Sequence, residues 1–447
     1  MSLPTIPASA SVTGQELIED ALTRARTGGA DAAEAVVSQD AGLTVTARLR
    51  DIETIESQND RGFSVTVYCQ HRKGSASTSD FSPSAIKAAV DKALYIASQT
   101  GADECAGLAD PELMATDFPD LALDHVWDID VDGARDLALS VEAAALDADA
   151  AVSNSEGATV TTHRGFGCYG NSHGFRGAQH RSSHSLSCSV IAGQGDAMER
   201  DYYYTSARNP ARLEDPEEVG RLAAERTVQH LGAKKISTRQ APVVFRHDVA
   251  RSLIGYLLSA ISGSAQYRKS SYLLDAVGQT VMAPHLSLLE QPFLPEAPAS
   301  TAYDREGVAT RERAIVADGE LQGLVLSSYS ARRLGLATTG NAGGVHNALL
   351  SHTDMDLPAL LRAMDTGLLV TEMMGQGVNL VTGDYSRGAA GFWIENGVIA
   401  YPVSEITVAG NLQDMLTQVV HVGGDVDRRG AIQTGSILID ALTIAGS

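Results

Sequence analysis

The chain has 447 residues, of which 44% are hydrophobic, long enough for two or three domains each with its own core. Its 34 Lys+Arg against 55 Asp+Glu leave a formal charge of −21, which opposes contact with a phosphate backbone and argues against direct nucleic-acid binding. The basic clusters Arg268-Lys269 and Arg332-Arg333 are too short to mark a nucleic-acid footprint.

The first predicted element is a helix in "TGQELIEDALTRARTGGAD", with Thr13 as N-cap and Gly28-Gly29 as the stop. Leu17, Ile18, Ala21, Leu22 and Ala25 share one face of it. Three stretches follow, "AEAVVSQ", "LTVTARLR" and "FSVTVYCQ", then the polar "GSASTSD". In "LTVTARLR", Leu43, Val45, Ala47 and Leu49 face one way and Thr44, Thr46, Arg48 and Arg50 the other, as in a half-buried antiparallel sheet. Ser82 and Pro83 open a helix with the stripe Ile86, Val90, Ala93, Leu94 and Ala97.

A comparable unit recurs. "DGARDLALSVEAAALDAD" reads as a helix, several strands occupy 150–206, and "DPEEVGRLAAERTVQHLG" reads as another helix. Strands in runs and helices in runs predict an α+β fold rather than alternating βαβ units. We expect an N-terminal α+β domain over 1–235, in two sub-segments near 14–100 and 125–232. "GAKKISTRQAP" links it to a β-rich C-terminal domain over 236–447.

That second half opens with a strand, "PVVFR", and an apolar helix, "DVARSLIGYLLSAIS", N-capped by Asp248. Hairpins are expected at Asp318-Gly319 and Asn396-Gly397, whose residue types suit tight turns. "GLLVTEMMG" and "AIQTGSILIDALTIA" read as further strands, so antiparallel or mixed sheets dominate.

The motifs that carry chemistry are sparse. "VTGDYSRGAAGFW", residues 381–393, holds Gly383, Gly388 and Gly391, but no Gly-Lys-Ser/Thr at the mouth of a helix, so it is not a phosphate loop. These glycines are expected to permit tight turns or close backbone approach. None of the twelve His is followed by Glu, which removes the helical zinc-hydrolase pattern. His180, His184 and Cys188 fall at i, i+4 and i+8, which in an extended chain spreads them over about 27 Å, too far for one ion. His163 and His173 read as sheet residues.

No Gly-x-Ser-x-Gly elbow is present. "GNSHG" at 170–174 and "NAGGVHN" at 341–347 read as loops, the latter placing His346 near a cleft. Four cysteines without a CxxC pair suggest neither a zinc knuckle nor a disulfide scaffold. "MSLPTIPASASV" lacks the regions of a signal peptide and no run of about 18 apolar residues occurs, so a cytoplasmic protein without membrane contact is expected.

Several longer blocks are more telling: "QHRKGSASTSDFSP", "GDAMERDYYYTSAR", "YRKSSYLLD", "SSYSARRLGL", "TGNAGGVHN" and "GQGVNLVTGDYSRGAAGFWIENGVIAYPVSEITVAGN". Through nearly its whole length the chain resembles the PmbA (TldE) branch of the TldD/PmbA family, once described as modulators of DNA gyrase. The resemblance implies a two-domain α+β fold and a peptidase assembly in which a TldD-type and a PmbA-type chain pair. Such assemblies act on small or unfolded peptides, in maturation of a peptide-antibiotic precursor and degradation of a labile antitoxin. TldD-type members hold zinc through a His-Glu-x-x-x-His helix and a Cys in a Thr-Gly-Asp-x-x-x-Gly-Cys loop.

Here the corresponding helix is apolar and the Cys position is Ala389, so this chain is expected to carry no metal or cofactor of its own, the zinc lying on a TldD-type partner. A peptide-chamber lining of His346, Thr382, Gly383, Asp384, Tyr385 and Arg387 is expected, with no catalytic residue. The alternatives are a metal-independent peptide-binding homodimer, acting as chaperone or adaptor, and an indirect effect on gyrase.

Overall fold

The computed structural model describes residue 6 and residues 10–446. Helix α1 (Ala10–Thr27) stops where Gly29 turns left-handed; it begins before Thr13, which therefore lies within the helix and does not cap it. Strands β1 (Ala32–Arg48), β2 (Asp51–Cys69) and β3 (Arg72–Thr78) follow, then α2 (Pro83–Gln99), whose N-cap Ser82 accepts a hydrogen bond from the Ala85 amide. Next come α3 (Val131–Ala148), β4 (Val152–Asn171), β5 (Arg176–Ala192), β6 (Glu199–Ala207) and α4 (Pro216–Gln229). The six strands form one antiparallel sheet in the order β3-β2-β1-β4-β5-β6.

The length of β1 and β4 organises this half. The two alternating stretches read separately from the sequence are one 17-residue strand, and along it Ala33, Ala35, Val37, Ala41, Leu43, Val45 and Ala47 all point to the same buried face. Helices α1 and α2 cover one end of that face and α3 and α4 the other. Leu49 departs from the alternation: with Arg50 it forms the β1–β2 turn, both residues at positive φ, and its side chain is exposed.

The second half contains β7 (Arg239–Phe245), α5 (His247–Ala260), α6 (Gly263–Tyr267), β8 (Leu288–Glu290), β9 (Arg313–Ala317), β10 (Glu320–Leu321), α7 (Ser328–Leu334), β11 (Ala348–Leu350) and α8 (Leu357–Met364). It continues through β12 (Gly367–Met374), β13 (Asp384–Glu395), β14 (Val398–Asn411), α9 (Leu412–Thr417), β15 (Val419–Val422), β16 (Ile432–Gln433) and β17 (Ile437–Ala445). A mixed sheet runs β14-β13-β12-β7-β17-β15, and β14 also pairs with β17, closing the sheet on itself. A smaller sheet runs β10-β9-β8-β11-β16. "AIQTGSILIDALTIA" is thus two strands in two sheets, split where Gly435 packs against the Gly423 backbone.

Both predicted hairpin turns form, with Asp318-Gly319 and Asn396-Gly397 each at positive φ. Helix α5 starts two residues earlier than an N-cap at Asp248 predicts. Arg246 occupies its N-cap position, and Asp248 sits in the first turn, paired with Arg246 at 2.6 Å. Leu253, Ile254, Leu257 and Leu258 drive α5 into the main core. Among the described residues no helix is long and apolar enough to cross a membrane.

Candidate functional site

Only Thr382 and Gly383 of the expected 382–387 loop lie outside regular structure. Asp384 to Arg387 belong to β13 and pair with β14; on their other side they bond the 377–379 segment, and the ladder with β12 begins only at Gly388. Gly383 has φ +80°, and its neighbour Thr382 donates to the Asp384 carboxylate at 2.6 Å. Gly391 stands hard against the Leu369 backbone, whereas Gly388 makes only ordinary contact.

Side chains alternate across β13 as a paired strand requires. Tyr385 and Ala389 are fully buried, while Thr382 and Asp384 are exposed. Burial drives the Tyr385 hydroxyl far above the ordinary phenol range; it donates to the Met373 sulfur. The Tyr385 ring meets the Tyr256 ring edge-on at 6.3 Å. Arg387 donates to the Tyr256 hydroxyl at 3.2 Å and to the Gly375 carbonyl at 3.1 Å, tying β13 to α5.

His346 lies apart from that cluster. It is buried, with Nδ1 3.1 Å and the backbone nitrogen 2.8 Å from Glu290 Oε1. Asn341 donates to the same oxygen at 2.7 Å, and Arg313 to Oε2 at 2.8 Å. Burial alone would raise the Glu290 carboxyl; the hydrogen bonds from His346 and Arg313 and the Arg313 charge outweigh it and hold it below its usual range. Glu290 was not singled out from sequence, since nothing local marks a carboxylate paired with a loop 50 residues on. Between this loop and α5 runs an open cleft of about 600 Å³, lined by Leu258, Ser262, Gly344, Val345 and Leu380. Gly344 and Val345 represent the loop in its wall, and His346 does not line it.

Zinc does not fit the residues present. Among the described residues no three His, Cys, Asp or Glu side chains converge. Helix α5 buries Ala250, Leu253, Ile254 and Leu257 and holds no Glu, and Ala389 has no exposed surface. His247, at the start of α5, is bound to Asp425 at 3.2 Å, and Asp425 in turn accepts from Ser436. His180, His184 and Cys188 lie along β5 as expected. His184 is fixed between Thr162 and the His125 carbonyl. His163 faces Asp40 at 3.2 Å and His173 the Ala109 carbonyl at 3.1 Å.

Three consecutive family models of the PmbA/TldA metallopeptidase match the chain: domain 1 over 33–97, the central domain over 124–231 and the C-terminal domain over 238–446. The chain belongs to the PmbA/TldD family. A metalloprotease PmbA homolog of Haemophilus influenzae is 52% identical over 93% of this chain and 92% of its own length. The metalloprotease PmbA of Escherichia coli O157:H7 is 47% identical over 97% of both. A Bacteroides thetaiotaomicron crystal structure, named as a candidate modulator of DNA gyrase, superposes with a TM-score of 0.93 at 27% identity, covering 99% of this chain and all of that one. TldE from Thermococcus kodakarensis shares the fold at a TM-score of 0.83 and 20% identity, covering 96% of this chain and all of its own. The PmbA/TldD membership makes the chain metalloprotease-related and confirms the α+β class.

Proposed function

We propose that the chain is the non-metal subunit of a TldD/PmbA-type zinc peptidase assembly in the cytoplasm. It pairs with a TldD-type homologue that carries the zinc, and it supplies wall and grip for a small or unfolded peptide, as in peptide-antibiotic maturation or antitoxin degradation. One observation carries the reading: among the described residues no three His, Cys, Asp or Glu side chains converge, α5 holds no Glu and no His beyond its first residue, and buried Ala389 stands where the resemblance puts the Cys. A site so lacking in ligands cannot lower the pKa of a bound water.

In this reading Thr382, Gly383, Asp384 and Arg387, which follow Leu380 of the α5 cleft in the chain, meet the peptide. Because residues 384–387 pair with β14 on one edge and bond the 377–379 segment on the other, contact falls to side chains and loop backbone rather than to an added strand. Tyr385 and His346 act from behind, the first as packing under the strand and the second as the brace of the loop.

Metal content and peptide cleavage, measured on the chain alone and mixed with a TldD-type partner, test this. The chain alone should bind no stoichiometric zinc and cleave nothing, and the mixture should be active and chelator-sensitive. Chelator-sensitive cleavage by the lone chain would overturn the reading. Failure of any TldD-type chain to co-purify would favour a peptide-binding homodimer instead.

A further inference from the structure

Away from α5 and β13, a cleft of about 700 Å³ opens between the first half and the second. The ends of β5 and β6 form one wall, and the loops at 294–298 and 428–433 form the other. Arg181, Arg208, Arg212, Arg428 and Arg429 line it against a single carboxylate, Glu296. In a chain of net charge −21 this is a local inversion of sign.

The arginines differ in how far they are compensated. Arg429 is neutralised by Asp427 at 2.8 Å and lies over the Tyr204 ring. Arg212 is only 3.5 Å from Glu296. Arg208 donates to three carbonyls, of Ser182, Ala297 and Pro298, at 2.6–3.1 Å, but touches no carboxylate. Its guanidinium is pushed down to about 10, by burial first and then by the Arg181 charge. Among the described residues, Arg181 and Arg428 have no ion-pair partner, and both are exposed. A largely buried cation held only by dipoles, with two free cations at its rim, is a site short of a counter-ion.

A second observation points to the kind of anion. The Gln433 side-chain oxygen is buried in the cleft wall and has no hydrogen-bond donor, while its amide nitrogen faces the Gly430 carbonyl. It is an acceptor awaiting an N–H. Leu294, Pro295 and Pro298 add apolar surface beside it. Carboxylate groups, a main-chain N–H and short methylene stems are found together in an acidic peptide. A cleft of this size is within the range of small-ligand sites; a polynucleotide would extend beyond it onto an acidic surface.

We propose that this inter-domain cleft binds the carboxylates of an acidic peptide segment through Arg181, Arg428 and Arg208, with Gln433 accepting a main-chain N–H. It rests on the peptide-handling reading above and adds to it the chemical class of the segment held at a distance from the reacting bond. Arg181 and Arg428 capture the carboxylates at the rim, each pair charge-assisted and sensitive to salt. Arg208, fixed by its three carbonyls, supplies field rather than a moving side chain.

The test is fluorescence anisotropy of labelled hexaglutamate titrated with the purified chain, with hexalysine, inorganic phosphate and a short single-stranded oligonucleotide as further arms. Saturable binding of hexaglutamate is expected, weakening as salt rises and falling by about tenfold or more in Arg181→Glu/Arg428→Glu. Hexalysine should not bind, and neither phosphate nor the oligonucleotide should displace the peptide at equal concentration. Affinity unchanged in the double variant, equal binding of hexalysine, or displacement by the oligonucleotide would overturn the proposal. If the double variant fails to fold, Arg428→Glu alone, at an exposed turn, carries the same test. No partner or metal is needed, so lost binding with partner-dependent cleavage intact sinks this site alone. Retained binding without such cleavage sinks only the subunit reading.

Discussion

One oxygen of Glu290 holds both ends of His346, lying 2.8 Å from its backbone nitrogen and 3.1 Å from its ring Nδ1. The loop at 341–347, which edges the α5 cleft, is therefore fixed by a carboxylate from β8. Removing one member of such a buried, charged network leaves the others desolvated and unpaired, so Glu290→Ala should cost about 3–5 kcal/mol in urea denaturation. The Glu290 pKa is depressed in the fold. Its stabilising contribution is accordingly full above the unfolded carboxyl value and is lost as pH falls through the lower folded one. An acid-unfolding midpoint unchanged in Glu290→Gln would show that the network does not support the loop.

Gly391 and Gly388 lie three residues apart on β13 yet differ in surroundings. A methyl group on Gly391 would strike the Leu369 and Val370 backbone, whereas one on Gly388 would sit 3.4 Å from Met374 Cβ. Gly391→Ala should destabilise by about 3 kcal/mol, since backbone cannot yield as a side chain does, and Gly388→Ala by under about 1 kcal/mol. Equal melting temperatures for the two variants would contradict the close approach of β12 and β13.

Leu49 and Arg50 turn left-handed because Glu142, buried on α3, accepts both of their amides at 2.8 and 2.7 Å. Glu142→Ala should cost about 3 kcal/mol, for two lost charge-assisted bonds. Replacing Leu49-Arg50 by Asn-Gly in that background should recover about 1–2 kcal/mol by relieving the positive-φ strain. Hydrogen exchange at these amides would report the loss directly.

That turn also marks where sequence reading stops. Asp318-Gly319 and Asn396-Gly397 announce their turns through their own chemistry, and the structure adopts both. Leu49-Arg50 continues an alternating pattern, and the cause of its turn lies 93 residues away. The apolar α5 stripe was legible because periodicity is local. The burial of His346 was not, because it depends on Glu290, Asn341 and Arg313, brought together by three separate segments. The arginine cleft was hidden likewise: Arg181, Arg208 and Arg428 belong to distant stretches and only the packing of the two halves assembles them.

Arg387 ties β13 to α5 through Tyr256 while remaining partly accessible. Arg387→Ala should cost only about 1 kcal/mol of stability, for hydrogen bonds at a half-exposed site. In the partnered assembly it should raise KM for peptide while leaving the melting temperature nearly unchanged. Tyr256→Phe, which keeps the ring packing, should reproduce part of the KM effect. An unaltered KM in both would make the contact a purely structural brace.

Asp304 titrates in the opposite sense to Glu290. Its carboxylate accepts three amides, from Glu306, Val308 and Ala342, yet burial outweighs them and lifts it from 3.8 to about 6. The raised value means that the fold favours the protonated acid. The contribution of this group is therefore greatest at low pH, falls as pH rises from about 4 to about 6, and then levels, a swing of about 3 kcal/mol. Asp304→Asn keeps an acceptor but cannot ionise. The difference in urea midpoint between wild type and this variant should thus change across that window and stay flat above it. A difference constant from pH 4 to pH 7 would mean that the three amides stabilise the anion fully and that burial imposes no penalty.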